Sequence, residues 1–154
     1  MGGGDDTGPN PTDRSKLGTK HHVVTDAQGI PLAVTVTGAN AADVTQLVPL
    51  VDAIPDLSRG RRAEPTRPDT LYADRAYDSE PHRDELRARG IVPQIPKRRT
   101  EHGSGLGIYR WVVERTNDWL HDFGKLRLRT DPDGHVHKAL VALGSALICL
   151  RFLL

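Results

Sequence analysis

The apolar positions change period several times along the chain, and each change marks an element. His21-His22-Val23-Val24-Thr25 is β-prone, Asp26-Ala27-Gln28-Gly29 has turn chemistry, and Leu32, Val34 and Val36 then alternate with Ala33, Thr35 and Thr37. This pattern predicts a β-hairpin with one buried face. Pro31 stands near the start of its second strand, where a missing N–H is tolerated. Over 43–54 the period becomes helical, with Val44, Leu47, Val48 and Val51 on one face. Pro49 would kink that helix and Pro55 would stop it. An apolar strand follows at 70–73. A helix is predicted over 80–89, with Ser79 as N-cap, Pro81 in its first turn and Gly90 beyond its end. Two prolines make 91–96 an edge or irregular strand. A long helix is expected over 108–123, broken by Gly124, and a last one over 137–154.

Between these elements lie stretches with no apolar period. Residues 1–19 are rich in Gly, Pro, Asp and Thr and read as a flexible lead-in to one domain over 20–154. Residues 56–69 and 97–107 read as basic loops. The order is hairpin, helix, strand, helix, strand, helix, helix, which predicts an α/β fold with a mixed sheet and flanking helices.

Composition narrows the field only slightly. The 154 residues suit one modest domain. Net charge is +1, so an argument for nucleic acid must come from where charge sits. Cys149 is the lone cysteine, which excludes an internal disulfide and a multi-cysteine zinc site and fits a reducing, cytoplasmic setting. The N-terminus lacks the basic start and apolar run of a secretory signal. The apolar stretch 139–154 would span about 24 Å as a helix, short of the ~30 Å of a bilayer core. It therefore reads as a buried or oligomerising helix, with no membrane partner expected.

The candidate chemistry rests on two acids. Leu71-Tyr72-Ala73-Asp74 is an apolar strand ending on a carboxylate, and ligands of open α/β sheets gather at such ends. Arg110-Trp111-Val112-Val113-Glu114 places a second carboxylate on an amphipathic helix. Two carboxylates on rigid elements are parts of a divalent-metal site for phosphodiester chemistry, because hard cations take oxygen ligands. Each acid also has an ordinary reading: Asp74 as an Asx turn, Glu114 as an ion pair with Arg110 one turn earlier. Asp78-Ser79 reads as turn and cap. Lys97, Arg98, Arg99, Lys125, Arg127 and Arg129 would make a phosphate-binding rim or a solvated basic surface. His21 and His22 would point to opposite faces of a strand, and the histidines show no metal-ligand spacing.

Taken together, Gly18-Thr19-Lys20-His21-His22-Val23-Val24-Thr25-Asp26, Pro31-Leu32-Ala33-Val34, Gly38-Ala39-Asn40 with Asp43, Leu71 through Asp78, and Arg110 through Thr116 resemble the C-terminal part of the catalytic domain of bacterial insertion-sequence transposases of the DDE superfamily. The resemblance covers nearly the whole chain. It implies a ribonuclease-H-like fold and an Asp, Asp, Glu triad holding Mg2+ or Mn2+. Asp74 matches the second acid, Glu114 the third, and Arg110 the arginine that precedes it. The implied reaction is hydrolytic nicking at element ends followed by attack of a 3′-hydroxyl on target DNA. DNA would be the partner, with a full-length transposase or an upstream-frame product beside it.

Two departures stand out. Ala76 stands where many relatives carry glycine. The first aspartate and its central strand have no counterpart in Met1 to Asn10, so neither Asp5 nor Asp6 is assigned to the triad. The expectation is therefore an incomplete sheet, lacking its first central strand, in a transposase fragment inactive alone. A non-catalytic DNA-binding or assembly module that modulates a complete transposase is the alternative.

Overall fold

The computed structural model describes residues 4, 6–56, 67–99, 107–127, 129 and 131–154, with backbone only for 107–110. The predicted hairpin is its centre. Strand β2 (Leu17–Thr25) pairs antiparallel with β3 (Pro31–Gly38), in a register that sets His21 opposite Val36 and Val23 opposite Val34. The turn closes because Asp26 Oδ1 accepts from the N–H groups of Gln28 and Ile30, each at 2.8 Å, and Gly29 takes a φ of +82° that disfavours other residues. Strand β2 starts earlier than the pattern predicts, since the short β1 (Gly8–Pro9) pairs with Leu17 and Gly18.

The hairpin is covered on both faces rather than one. Val24 joins a core with Leu47, Leu50 and Val51 of α1 (Leu47–Asp52), Leu71, Leu86, Ile91 and Ile95. Val36 joins a second core with Leu120, Leu126, Val141 and Ile148, with Val23 and Val34 beside it. The second core is built by α3 (Gly107–Asp122), α4 (Gly124–Arg127) and α5 (Gly134–Arg151). Thr35 and Thr37 at the alternate positions hid this second cover.

The helix predicted over 43–54 is a 3-10 turn, Asp43–Gln46, followed by α1. Pro49 falls in the first turn of α1, where its missing N–H needs no partner. Strand β4 (Thr70–Tyr72) pairs in parallel with β5 (Val92–Gln94), and α2 (Glu80–Ala88) packs beside them. Ser79 stands at the N-cap of α2 but makes no capping bond; its Oγ lies 2.8 Å from His82 Nδ1 instead. Gly90 ends the helix with a φ of +78°.

Among the described residues the strands form two sheets, β1-β2-β3 and β4-β5, rather than one mixed sheet. No described strand lies between the hairpin and β4. The shared core of Val24, Leu71 and Leu86 joins the two pieces through side chains instead of a hydrogen-bonded ladder. The α/β class is as expected. No helix of the described chain is long and apolar enough to cross a membrane.

Candidate functional site

One cleft of about 1040 Å³ opens where the hairpin, the end of β4 and the helices of the second core meet. Strand β2 lines it with Thr19, Lys20, His21 and His22, joined by Asp43, Asp74 and Tyr77. Helix α3 contributes Asn117 and His121, and the chain around α4 and α5 adds Arg127, Arg129, Asp131 and His137.

Asp74 follows β4 directly and is exposed. Its Oδ1 accepts from the Ala76 N–H at 2.8 Å and so caps the 3-10 turn Arg75–Tyr77. That is the Asx-turn geometry, and it also fixes the carboxylate's direction. Arg98 clamps the same turn from outside, donating from Nε to Arg75 O at 3.1 Å and from Nη2 to Ala76 O at 2.9 Å. Asp78 is more than a turn residue: it accepts from Arg83 Nη2 and from the Arg98 backbone N–H, both at 2.6 Å. The Arg83 hydrogen bond first, then that of the Arg98 N–H, holds the Asp78 carboxyl below its usual range.

Burial and the nearby carboxylates of Asp43 and Asp74 push the Tyr77 hydroxyl up to about 12, so it keeps its proton at neutral pH. Asp43 is paired with Lys20, whose Nζ donates to Asp43 Oδ1 and Ala41 O at 2.9 Å. His22 is 2% exposed, with Nε2 2.8 Å from Thr37 Oγ1 and Nδ1 3.5 Å from Tyr77 Oη. Burial lowers its pKa, with Asp43 acting in the opposite sense.

Glu114 is exposed on α3 and stands outside the cleft's lining. It precedes Asn117 by three residues and His121 by seven, a spacing that puts all three on one helical stripe. Its neighbours anchor α3 to the hairpin turn. Arg115 lies between the rings of Trp111 and Trp119, 4.3 and 4.7 Å from their centroids, and donates to Gln28 O. Thr116 Oγ1 donates to Gly29 O at 2.7 Å. Of the basic residues singled out in the sequence, Arg127 and Arg129 line the cleft. Lys97, Arg98, Arg99 and Lys125 are exposed outside it, and the Arg110 side chain lies outside the described residues.

The sequence reading missed two features. Asp43 approaches the Asp74 turn, and its Gly38-Ala39-Asn40 lead-in was the sole local hint. His21, His121 and His137 converge from β2, α3 and α5, which no local spacing announces. Among the described residues, no three His, Cys, Asp or Glu side chains are gathered so as to hold a metal ion.

Comparison with known proteins gives a consistent result. The sequence profile of a family described as Transposase DDE domain matches residues 3–149. A Burkholderia cepacia protein described as a transposase for insertion sequence element IS402 is 63% identical over 144 residues, covering 93% of this chain and 68% of that protein. A transposase for insertion sequence element IS1106 from Neisseria meningitidis serogroup B is 32% identical over 116 residues, covering 69% of this chain and 36% of that protein. No solved structure matches the chain.

Proposed function

Because the chain belongs to the transposase DDE domain family, we propose that it serves DNA transposition through this cleft, with metal held by Asp74 in its lining and by Glu114 beside it, on the α3 stripe that enters the cleft at Asn117 and His121. The observation that carries this reading is Asp74 itself, set at the carboxyl end of β4 in one cleft with Lys20, Arg127 and Arg129. Strand ends are where such sheets place their chemistry, and cations along the walls suit a phosphate backbone. The gap between the two sheets fits a ribonuclease-H-like sheet without its central strand.

Carboxylate oxygens suit Mg2+ or Mn2+ in kind. They fall short in number, since no described trio of ligands exists, so Asp74 and Glu114 would need a further acid. Divalent ions held there would polarise a phosphodiester and make attacking water more acidic. This chain's own residues do the rest. The Ala76 N–H aims the Asp74 carboxylate, and Arg98 steadies its turn. Tyr77 keeps a hydroxyl proton to donate, and Arg127 and Arg129 neutralise backbone charge. In this reading the chain alone binds DNA without cutting it.

The test is a binding and cleavage assay with Mg2+ or Mn2+ and a duplex carrying the ends of a related insertion sequence. Affinity is expected to fall with salt, Arg127→Ala to lower the slope of log affinity against log salt by about one, and the strands to stay intact. Absent or salt-independent binding would overturn the DNA reading. Strand cutting abolished by Asp74→Ala would overturn inactivity.

A further inference from the structure

We propose that His21 and His137 form a phosphodiester subsite of the cleft that takes up a proton as DNA binds. This rests on the reading that the cleft holds DNA, and adds a ligand position and a proton to it. The two rings meet head to head, Nε2 to Nε2 at 2.9 Å, with centroids 5.1 Å apart. A contact that short needs one Nε2 to carry hydrogen and the other to accept it. Both rings line the cleft, and the ring of His121 stands 6.3 Å from that of His21.

The pair is built to receive charge. His137 is 1% exposed, yet among the described residues its Nδ1 finds no hydrogen-bond partner, and the same is true of the buried Oδ2 of Asp131. A buried polar atom left unsatisfied costs free energy. With His137 donating from Nε2 to His21, a proton added to its Nδ1 would give that ring a donor on both sides, with the Asp131 carboxylate as its counter-charge.

The surroundings set when this happens. Burial, then His137, His121, His22 and Arg129, holds His21 down to about 4. Burial and Arg129 lower His137 as well, while Asp131 and Asp6 act in the opposite sense. Asp6 is itself paired with Lys138 at 2.7 Å. Arg129 is held in place by donating to Thr19 Oγ1 at 2.9 Å and Asp131 O at 3.0 Å. The empty pair is therefore neutral at neutral pH. One phosphate charge about 6 Å away, at an effective dielectric near 20, raises proton affinity about a hundredfold. For His21, held at about 4, uptake on binding should thus be largest at about pH 5.

Calorimetry of the full chain with duplex DNA at about pH 5, in two buffers of different ionisation enthalpy, measures the proton directly. Uptake approaching one proton is expected. His21→Asn and His137→Asn should abolish it, and His135→Asn, at an exposed position, should leave it intact. His121→Asn tests the same pair without touching a buried ring: it removes a repelling neighbour and should move maximal uptake to higher pH. Circular dichroism of each variant confirms that it is folded. DNA binding without uptake, or uptake unchanged in both pair variants, overturns the subsite and leaves the DNA reading standing. Uptake with inorganic phosphate but not with DNA overturns it too, and failure to bind DNA at all overturns both.

Discussion

Arg83 is a charged residue with 5% exposure, and its position makes the Asp74 turn depend on a neighbour. Its guanidinium reaches Asp78 Oδ1 at 2.6 Å and Ile95 O at 2.8 Å, tying α2, β5 and the turn together. Asp78 holds the other end by accepting from the Arg98 N–H. Removing Asp78 leaves the buried Arg83 charge, among the described residues, with only the exposed Glu80, 3.6 Å from Nε, as its counter-ion, a cost of about 3 kcal/mol. Asp78→Ala is therefore expected to lower the urea midpoint strongly with an unchanged m-value, and Asp84→Ala, which removes an exposed pair with Arg87, to leave it nearly unchanged. Equal effects from the two variants would refute a structural role for Asp78.

At the level of elements, the joint between α3 and the hairpin turn determines where Glu114 stands. A Cβ on Gly29 would meet Arg115 Nη2 at 3.0 Å and Thr116 Oγ1 at 3.1 Å, and the φ of +82° adds strain. Gly29→Ala should cost about 1–3 kcal/mol and loosen α3 from the turn, read as faster amide exchange in both elements together. Exchange that quickens in the turn alone would show that the joint carries no load. The elements themselves were largely legible. The hairpin, the Asp74 strand, α2, α3 and α5 all follow from local period and local punctuation. What was not legible needed the third dimension. Pro49 was read as a kink because the chain could not show that a 3-10 turn precedes it. Ser79 was read as a cap because its competitor, His82, acts only once the side chains have settled. His21 and His137 are separated by 116 positions, and nothing in either neighbourhood points to the other. Asp74 and Glu114 were candidates from their settings on a strand end and a helix, and the resemblance gave them their ranks in a triad, whereas which of the basic residues share the cleft with Asp74 came from the fold.

Across the whole molecule, the second core and the cleft join along one seam, where β2 meets α5 through two imidazoles that the fold keeps neutral. Burial lowers His21 from its usual 6.5 to about 4 and lowers His137 as well. Between those values the unfolded chain binds more protons than the folded one, so stability must rise with pH. The contribution is complete above about pH 6.5 and is lost as pH falls through about 4; for His21 alone it is on the order of 3 kcal/mol. Asp78, also lowered, adds a second loss in stronger acid, because its contribution is present above its usual 3.8 and disappears as pH falls through its folded value. Urea midpoints should therefore be flat above pH 7 and fall between 6.5 and 4. His21→Asn should make that first decline shallower, leaving the share of His137 and His22, without affecting the later one. The decline would also shrink when duplex DNA is present, because a phosphate beside the pair makes the folded state accept the proton that otherwise favours unfolding. A midpoint that is the same at pH 7.5 and 4.5 would show that the imidazoles are not buried as a neutral pair, and the proton-linked subsite would fall with them.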